Sequence, residues 1–242
     1  MKHTHKKYKR IMLKLSGETL AKEGRGQGIN QNVLHSLAKR IKEEVTNEGI
    51  QLVIVIGGGN IWRYRDMKGS GIERTVSDYM GMLATIMNAV ALQSALRSFG
   101  ADAHVLSAID VPQLAEPYIR GKAISHLGKG RIVICAGGTG NPYFTTDSAA
   151  ALRAAELDCD ILLKATTVDG VYDKDPEKYS SAKRYKNITY GEAIGKNLAI
   201  MDQAAFSLCR EQNLPIRVFR YAEKGSLRKA ARGEDIGTLV QG

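Results

Sequence analysis

The sequence lacks the short motifs that mark the commonest nucleotide-binding and hydrolytic folds. The P-loop pattern G-x-x-x-x-G-K-[ST] is missing, because the Gly-Lys pairs at Gly121, Gly128 and Gly195 are followed by Ala, Gly and Asn. The glycines do not form G-x-G-x-x-G, and neither G-x-S-x-G nor H-E-x-x-H occurs. These absences argue against a Walker-type kinase, a Rossmann dehydrogenase, a serine hydrolase and a zinc peptidase.

Cysteine is also scarce, with only Cys135, Cys159 and Cys209, each in apolar surroundings and far from the others. We interpret them as small core residues of a protein in a reducing compartment, which predicts a cytoplasmic location. No C-x-x-C pair or zinc-ligand spacing is present, so we expect no resident metal site. The histidines, which we expect to form no cluster, are His3, His5, His35, His104 and His126.

Long apolar runs are missing too, and the basic residues 1–10 are not followed by the apolar stretch of a signal peptide. We therefore expect no membrane association. Positive charge, in contrast, is in excess, since 35 Lys and Arg residues stand against 25 Asp and Glu residues, a formal charge of +10. The basic residues are spread along the chain without interleaved aromatics, which favours small phosphorylated ligands over nucleic acid as partner.

Short apolar runs alternate with amphipathic stretches along the chain. Residues 52–56 are continuously apolar, as in a strand covered on both faces, and steps of four and three predict a long helix over 74–99. Strands separated by helices imply right-handed crossovers. We predict an α/β fold, a three-layer α/β/α sandwich with a mainly parallel central sheet, formed by residues 1–242 as one domain. Further strands are predicted at 11–15, 104–106, 132–135, 161–163 and 216–219, with an edge strand at 238–240; further helices are predicted at 33–45, 148–157 and 203–211.

Four predicted strands end in residues suited to phosphate binding. They lead into Lys14-Leu-Ser-Gly17, Gly57-Gly-Gly-Asn60, the loop 137–147 and the segment 164–172. Ligands of open α/β sheets bind beyond the carboxyl ends of the strands. We therefore expect these four segments to meet at one edge of the sheet.

The richest segment is A-G-G-T-G-N-P-Y-F-T-T-D-S-A-A-A at 136–151, which leads from a strand into an alanine-rich helix. Its backbone N–H groups at the positive end of a helix dipole suit a phosphate, and its hydroxyl and amide groups indicate a polar ligand. An ordinary glycine-rich connection is the alternative. Lys14 and Arg63 are further candidates for phosphate contacts. The alternatives are a lysine that snorkels at the strand end and an arginine that is merely solvated.

This set of residues suits phosphoryl transfer, which depends on positioning and on neutralising negative charge. An acceptor that is itself a phosphate is already an anionic nucleophile and needs no general base. The lack of an evident histidine or glutamate base then has a chemical reason.

Five segments together resemble a known family. They are K-L-S-G-E at 14–18, G-G-G-N-I-W-R at 57–63, D-Y-M-G-M-L-A-T-I-M-N at 78–88, G-T-G-N-P-Y-F-T-T-D-S-A-A at 138–150 and V-D-G-V-Y-D-K-D-P at 168–176. In this order the chain resembles the bacterial uridylate (UMP) kinases of the amino acid kinase superfamily, over about residues 8–240. The first and last segments mark only the superfamily, whereas 78–85 and 138–147 single out the UMP branch.

The resemblance implies an amino acid kinase-like fold and a role for each matching residue. The ATP-binding residues it implies are Lys14, Leu15, Ser16, Gly17, Gly59, Arg63, Thr166, Tyr172 and Asp175. The UMP-binding residues it implies are Gly58, Asp78, Thr139, Gly140, Asn141, Pro142, Tyr143, Phe144, Thr145 and Thr146. Lys14, Arg63 and Asp147 are the implied catalytic residues, with Asp147 orienting Lys14; a helix-start carboxylate is the alternative for Asp147.

Other members of the superfamily carry a second lysine near 198–202, but this chain reads L-A-I-M-D there. We expect Arg63 to supply that charge. The ATP chemistry implies Mg²⁺ as the cofactor. The resemblance further implies a homohexamer that is activated by GTP and inhibited by UTP. The residues that match the effector-linked loop are Glu23, Gly24, Arg25, Gly26, Gln27 and Gly28, for which a flexible glycine-rich loop is the alternative.

The sequence as a whole predicts an ATP:UMP phosphotransferase of pyrimidine nucleotide synthesis. Two alternatives stay open at this point: another small-molecule kinase of the same fold, and a basic nucleic-acid-binding protein that responds to nucleotides. For the first reading, the Asp78 carboxylate should accept ribose hydroxyls and thereby favour ribonucleotides over deoxyribonucleotides. The threonines of 139–146 should set the choice of base.

Overall fold

The computed structural model describes residues 8–21, 27–67 and 69–242. Within these residues nine strands form one sheet in the order β4-β3-β5-β2-β1-β6-β8-β9-β7. The strands are β1 Arg10–Leu15, β2 Gln51–Ile56, β3 Ala103–Ser107, β4 Glu116–Pro117, β5 Ile132–Ala136, β6 Ile161–Thr166, β7 Asn187–Thr189, β8 Ile216–Arg220 and β9 Thr238–Gln241. The helices are α1 Gln31–Glu44, α2 Arg74–Ser98, α3 Arg120–Gly128, α4 Thr146–Glu156, α5 Tyr190–Gly195, α6 Gln203–Glu211 and α7 Ser226–Ala231.

All neighbouring strands from β4 to β8 run parallel, and β9 pairs antiparallel with β8. The prediction of a mainly parallel sheet is therefore confirmed. The expectation for 238–240 is wrong in one respect, since β9 is not an edge strand. It lies between β8 and the short strand β7, with which it pairs in parallel.

The sheet is buried on both faces because successive residues of its central strands enter different cores. In β1, Ile11 and Leu13 pack into one apolar cluster with α1, α2 and α7, whereas Met12 packs into a second cluster with α3, α4, α5 and α6. Successive side chains of a strand point to opposite faces of the sheet. Because both faces are covered here, the side chains on each face are apolar and the strands are continuous apolar runs. The three predicted layers follow directly from this packing.

Helix α2 is 25 residues long and, by length and composition alone, is apolar enough to cross a membrane. This corrects the expectation that no apolar stretch reaches that length. Half of the apolar window is buried inside the fold. It packs against α1, β3 and β5, as a core helix does.

Candidate active site

The four loops singled out in the sequence follow β1, β2, β5 and β6, and these strands are neighbours in the order β5-β2-β1-β6. Their carboxyl ends therefore lie side by side at one edge of the sheet. The expectation that these segments meet is confirmed. The position is the one at which open α/β sheets bind ligands.

A buried cluster of two lysines and one aspartate occupies this edge. The Nζ atom of Lys14 lies 2.7 Å from Oδ1 of Asp147, and the Nζ atom of Lys164 lies 2.7 Å from Oδ2 of the same carboxylate. All three side chains are at most 16% exposed. Lys164 also donates a hydrogen bond of 2.6 Å to the carbonyl oxygen of Ile200. One carboxylate thus holds two ammonium groups in fixed positions.

The backbone explains why these three side chains converge. Lys14 of β1 and Lys164 of β6 are register partners in a parallel pair, so their side chains leave the same face of the sheet. Asp147 is the second residue of α4, whose N-terminal end follows the loop after β5. A carboxylate in the first turn of a helix is favoured by the helix dipole.

The electrostatics of the cluster follow from its burial. Burial alone would raise the pKa of Asp147, but the ammonium groups of Lys14 and Lys164 hold the pKa of this carboxyl below its usual value. Burial and the charge of Lys14 lower the pKa of Lys164, although Asp147 acts in the opposite direction. The charged carboxylate is therefore stabilised by its neighbours, and one lysine is less basic than a free one.

Asp202, which precedes α6, holds the N-terminus of α4 by side-chain hydrogen bonds. Thr145 caps α4 by accepting from the backbone N–H of Asp147 at 3.0 Å, and its hydroxyl donates to the Asp202 carboxylate. Ser148 donates to the same carboxylate at 3.0 Å, while Asp202 itself caps α6 through the N–H of Ala205. Two helix N-termini thus share one aspartate beside the lysine cluster.

The segment 198–202, in which a second lysine was sought, supplies Asp202 and the carbonyl of Ile200 to this site. A second lysine does contact Asp147, but it is Lys164 of β6. The expectation that Arg63 supplies the second charge stays a prediction. Arg63 bonds to the carbonyl of Gly59 and forms an ion pair with Glu18, and it does not contact Asp147. The sequence places Lys164 in a predicted strand, but only the register of β6 against β1 shows that it lies beside Lys14.

The loops after β1 and β2 pack backbone to backbone. The N–H of Gly57 donates to the carbonyl of Leu15 at 3.0 Å, and a Cβ atom on Gly17 would lie 2.5 Å from the carbonyl oxygen of Gly57. A Cβ atom on Gly58 would lie 2.8 Å from the carbonyl oxygen of Gly81 in α2. Glycine is thus required at positions 17 and 58, because the neighbouring backbone leaves no room for a Cβ atom. The side chain of Leu15, at the end of β1, is fully buried.

A buried pair of amides holds the second loop against α2. Asn88, which is fully buried, donates to the carbonyl of Gly57 at 2.7 Å and to the side chain of Asn60 at 2.7 Å. Asn60 in turn donates to the carbonyl of Gly28 at 2.8 Å, and its own carbonyl accepts from the Gly28 N–H at 2.8 Å. The loop after β2 therefore has little freedom to move relative to α2.

A cleft of about 330 Å³ opens beside the N-terminus of α4. The sequence-predicted residues that line it are Gly58, Gly59, Arg63, Asp78, Thr139, Asn141, Phe144, Thr145 and Thr146. Trp62, Tyr64 and Arg74 also line the cleft, and sequence reasoning did not single them out. Thr146 lines the cleft, precedes Asp147 in the chain and lies next to Gly57. The cleft and the lysine cluster are therefore adjacent.

Asp78 organises one wall of this cleft. Its carboxylate accepts from Nε of Arg74 at 2.9 Å and from the backbone N–H of Tyr143 at 2.8 Å. The guanidinium carbon of Arg74 lies 4.5 Å above the ring of Tyr64 and 5.7 Å from that of Tyr143. Tyr143 has a φ of 70°, a conformation that a non-glycine residue rarely adopts, and the bond to Asp78 helps to hold it.

The loop of residues 137–146, which we call the acceptor loop because the sequence predicts that it binds UMP, has two exposed aromatic side chains. Tyr143 is 66% exposed and Phe144 is 54% exposed. Gly140 has a φ of 83°, and the Thr139 hydroxyl pairs with the backbone of Asn141 at 3.2 Å. Pro142 lies in the same turn, but neither it, Gly140 nor Tyr143 lines the cleft.

The residues expected around adenosine begin with Thr166, the last residue of β6, and continue into the segment after that strand. Thr166 closes a turn by bonding to both backbone groups of Val168, and Tyr172 donates to Asp169. The hydrogen bond to Asp169 raises the pKa of Tyr172. Asp175 accepts from the N–H of Glu177 at 2.9 Å and is exposed, so the structure gives it a role in a turn. Ser16 similarly caps the 3₁₀ turn Gly17–Leu20.

Of the predicted effector loop, Glu23, Gly24, Arg25 and Gly26 lie outside the described residues. Gln27 is exposed, and Gly28 is anchored to Asn60 as described above. The three cysteines are buried as predicted. The expectation that no histidines cluster is wrong for His104 and His126, whose ring centroids are 4.1 Å apart.

The geometry just described agrees with what comparisons with known proteins find. Residues 9–220 match the model of the amino acid kinase family. The chain is similar to the crystal structure of the UMP kinase from Bacillus anthracis (41% identity, TM-score 0.93, covering 97% of this chain and 96% of that one). It is also similar to the UMP kinase from Ureaplasma parvum (36% identity, TM-score 0.91, 97% and 99%) and the uridylate kinase from Archaeoglobus fulgidus (27%, 0.73, 95% and 99%). The chain belongs to the amino acid kinase family.

Proposed function

We propose that this protein is an ATP-dependent UMP kinase that transfers the γ-phosphoryl group of ATP to UMP, giving ADP and UDP for pyrimidine nucleotide synthesis. The observation that carries the proposal is the Lys14–Asp147–Lys164 cluster, which adjoins the cleft at Thr146. The similarity to UMP kinases over nearly the full length of the chain supports UMP as the acceptor.

The two lysines would neutralise the charge that spreads over the transferred phosphoryl group. Both ammonium groups are held before any substrate binds, because a single carboxylate fixes them and the strand register spaces them. Such preorganised charges in a water-poor site stabilise a transition state more than charges in solution do. Asp147 is a positioning residue in this scheme, and both of its oxygens are already engaged by the lysines.

The acceptor needs no base, because the phosphate of UMP is already an anion. The cleft would hold it with the backbone of Gly58, with Asp78 at the ribose and the threonines of the acceptor loop at the base. Gly59 and Arg63, which also line the cleft, would face the ATP phosphates. Leu15 could contact ATP only through its backbone, since its side chain is buried. Thr166, Tyr172 and Asp175 stay in the proposal as the adenosine side.

Mg²⁺ is proposed as the ion that accompanies ATP and supplies charge neutralisation of its phosphates. The carboxylates beside α4 are both in use, Asp147 by two lysines and Asp202 by two hydroxyls and a backbone N–H. The residues therefore fit an ion held by the ATP phosphates and water, a common arrangement for Mg²⁺.

Regulation and assembly belong to the same proposal: a cytoplasmic homohexamer, activated by GTP and inhibited by UTP. Gly28, the end of the effector loop Glu23–Gly28, is hydrogen bonded to Asn60, and Asn88 joins Asn60 to Gly57. This chain of bonds offers a route from the loop to the phosphate-binding backbone. On α2, a stripe of exposed apolar side chains supports self-association. Its members are Val76, Tyr79, Leu83 and Met87.

A coupled assay of ADP formation tests the proposal directly. With ATP and Mg²⁺, UMP should be turned over far faster than CMP, dUMP, aspartate or glutamate, and adding GTP or UTP reports on regulation. Robust turnover of aspartate or glutamate with none of UMP would instead identify another kinase of this fold. A basic nucleic-acid-binding protein would turn over none of them and would keep its main activity when Lys14 is replaced.

A further inference from the structure

A second cluster of reactive side chains lies at one end of the sheet, where β4 is the edge strand, and outside the cleft. It joins His104 of β3, Glu116 of β4 and His126 of α3. Oε1 of Glu116 lies 3.2 Å from Nδ1 of His104 and 3.1 Å from Nε2 of His126. The three potential ligand atoms all lie within 4.8 Å of one another.

Two of these separations are close to those around a tetrahedral metal ion. Zinc binds histidine nitrogen and carboxylate oxygen at about 2.0–2.2 Å, so ligand atoms at the corners of a tetrahedron are roughly 3.3–3.5 Å apart. The two distances from Glu116 are close to this value, and a small displacement of the carboxylate would admit the ion. Two imidazoles and one carboxylate form a donor set that zinc uses with a fourth, open position.

The surrounding residues orient the ligands as in known metal sites. Nε2 of His104 lies 3.0 Å from Oδ1 of Asp102, so a carboxylate holds the ring by the nitrogen that would not bind the metal. Nε of Arg131 donates to the other oxygen of Asp102 at 2.8 Å and so fixes that carboxylate. The Lys122 ammonium lies 4.0 Å from Oε2 of Glu116.

One contact opposes metal binding and limits its strength. Nη1 of Arg131 lies 3.3 Å from Nδ1 of His126. When Nε2 of His126 binds a metal, Nδ1 must carry the ring proton, so this guanidinium nitrogen has to turn away. Arg131 can remain attached to Asp102 through Nε while it does so.

Burial makes the site ordered yet accessible. The side chain of His126 is 11% exposed, that of His104 is 19% exposed and that of Glu116 is 38% exposed. The rings are therefore held in place, while the carboxylate faces an approach from solvent. β4 has only two residues and pairs with β3 alone.

We propose that His104, Glu116 and His126 form a binding site for a divalent transition metal ion, with Zn²⁺ as the fitting ion and Asp102 as the residue that orients His104. A bound ion would clamp β4 and α3 to β3 and so stabilise this edge of the sheet. None of the three residues lines the cleft, so the site is independent of phosphoryl transfer.

The test uses the full chain after removal of metal with a chelator, and Zn²⁺ alone as the probe. Titration calorimetry should find one equivalent of Zn²⁺ that is lost, or bound about tenfold or more weakly, in His104→Gln and in Glu116→Gln. Asp102→Asn should weaken the same equivalent by about tenfold. The matched control is His35→Gln, which replaces an exposed histidine of α1 and should leave binding unchanged.

Two further readouts separate the outcomes. Zn²⁺ should raise the thermal unfolding temperature of the starting protein and of His35→Gln but not of His104→Gln or Glu116→Gln, because a metal that binds only the folded state stabilises it. Co²⁺ should give the stronger visible absorption of a four-coordinate site only where His104 is present. Equal Zn²⁺ binding by all of these variants would reduce the cluster to a hydrogen-bonded one and overturn the proposal. UMP phosphorylation by the Zn²⁺-free protein is measured in parallel with Mg²⁺ present. This activity tests the proposed function alone, because the Zn²⁺ site shares no residue with the cleft.

Discussion

The lysine cluster and the acceptor loop lie next to each other, yet they are built in opposite ways. Lys14, Lys164 and Asp147 lie on two strands and in the first turn of a helix, and their charges are paired within the protein. The acceptor loop has glycines at positive φ and aromatic side chains that are more than half exposed. The charged groups of the lysine cluster are paired without substrate, whereas the acceptor loop has exposed side chains that a bound substrate would cover.

The difference separates the two tasks of a phosphotransferase. Charges that stabilise a transition state are most effective when they are fixed before the reaction, which a rigid scaffold provides. Recognition of a base and a ribose tolerates a loop that settles around the ligand. Thr146 joins the regions, because it ends the loop, begins α4 and adjoins Gly57.

Asp147→Asn should have the largest effect on stability, because it leaves two buried ammonium groups without their counter-charge. We expect the free energy of unfolding at pH 7 to fall by about 3–5 kcal/mol. The pKa of Asp147 is lower in the folded state than the ordinary value of 3.8, because Lys14 and Lys164 outweigh the effect of burial. Its contribution to stability is therefore present above that pH and is lost as the pH falls through the folded pKa. The difference between the two proteins in urea denaturation should therefore shrink in acid.

The matched control is Asp158→Asn, which removes an exposed carboxylate paired with Arg120. This change should alter the free energy of unfolding by less than about 1 kcal/mol. A similar small loss for Asp147→Asn would show that the cluster is not under the electrostatic stress inferred from its burial.

Lys164→Met should have the largest effect on catalysis among folded variants. We expect kcat to fall by about 10²–10³-fold, the usual result of removing one group that stabilises transition-state charge, with little change in KM for UMP. Steady-state kinetics of Lys186→Met provide the control, since that lysine is 67% exposed and pairs with Asp235. Normal kcat in Lys164→Met would favour Arg63 as the second cation.

Asp78→Asn should reduce discrimination between UMP and dUMP. A hydrogen bond to a charged group contributes about 1.5–3 kcal/mol, so the ratio of kcat/KM for the two substrates should fall by about tenfold or more. The variant also weakens the hold on Arg74 and Tyr143. Equal turnover of UMP and dUMP by the unaltered protein would contradict the role given to Asp78.

Thr146→Ala should have the smallest effect and the one most specific to the acceptor. Loss of one hydroxyl contact of about 0.5–1.5 kcal/mol should raise KM for UMP by roughly two- to tenfold. KM for ATP should change less. An equal rise in both values would place Thr146 with the lysine cluster rather than with the acceptor loop.

The sequence was sufficient for the parts of the fold that rest on strong local patterns. The apolar run of β2 was recognisable because burial on both faces leaves a continuous apolar stretch. Helix α2 was recognisable from the steps of four and three between its apolar residues. The short elements β4, α3, α5 and α7 were not predicted, because a few residues with interspersed glycines and charges carry no such trace. Strand β4 packs against β3, α3 against β5, α7 against β8, and α5 against β7, a short strand that was also not predicted.

The same limit applies to the site. The four loops could be predicted to meet because strand ends of a parallel sheet share one edge. Lys164 was overlooked as the partner of Lys14, since only the register of β1 against β6 pairs them. The cluster of His104, Glu116 and His126 depends likewise on β4 and α3 folding back onto β3, which local sequence does not encode.

The most direct test of the division between the two regions is a side-by-side kinetic comparison of Lys164→Met and Thr146→Ala with UMP and ATP. The structure predicts that Lys164→Met lowers kcat by about 10²–10³-fold at a nearly unchanged KM for UMP, and that Thr146→Ala raises this KM at a nearly unchanged kcat. If Lys164→Met instead kept its kcat and lost affinity for UMP, the lysine cluster would belong to acceptor binding and the account would be wrong.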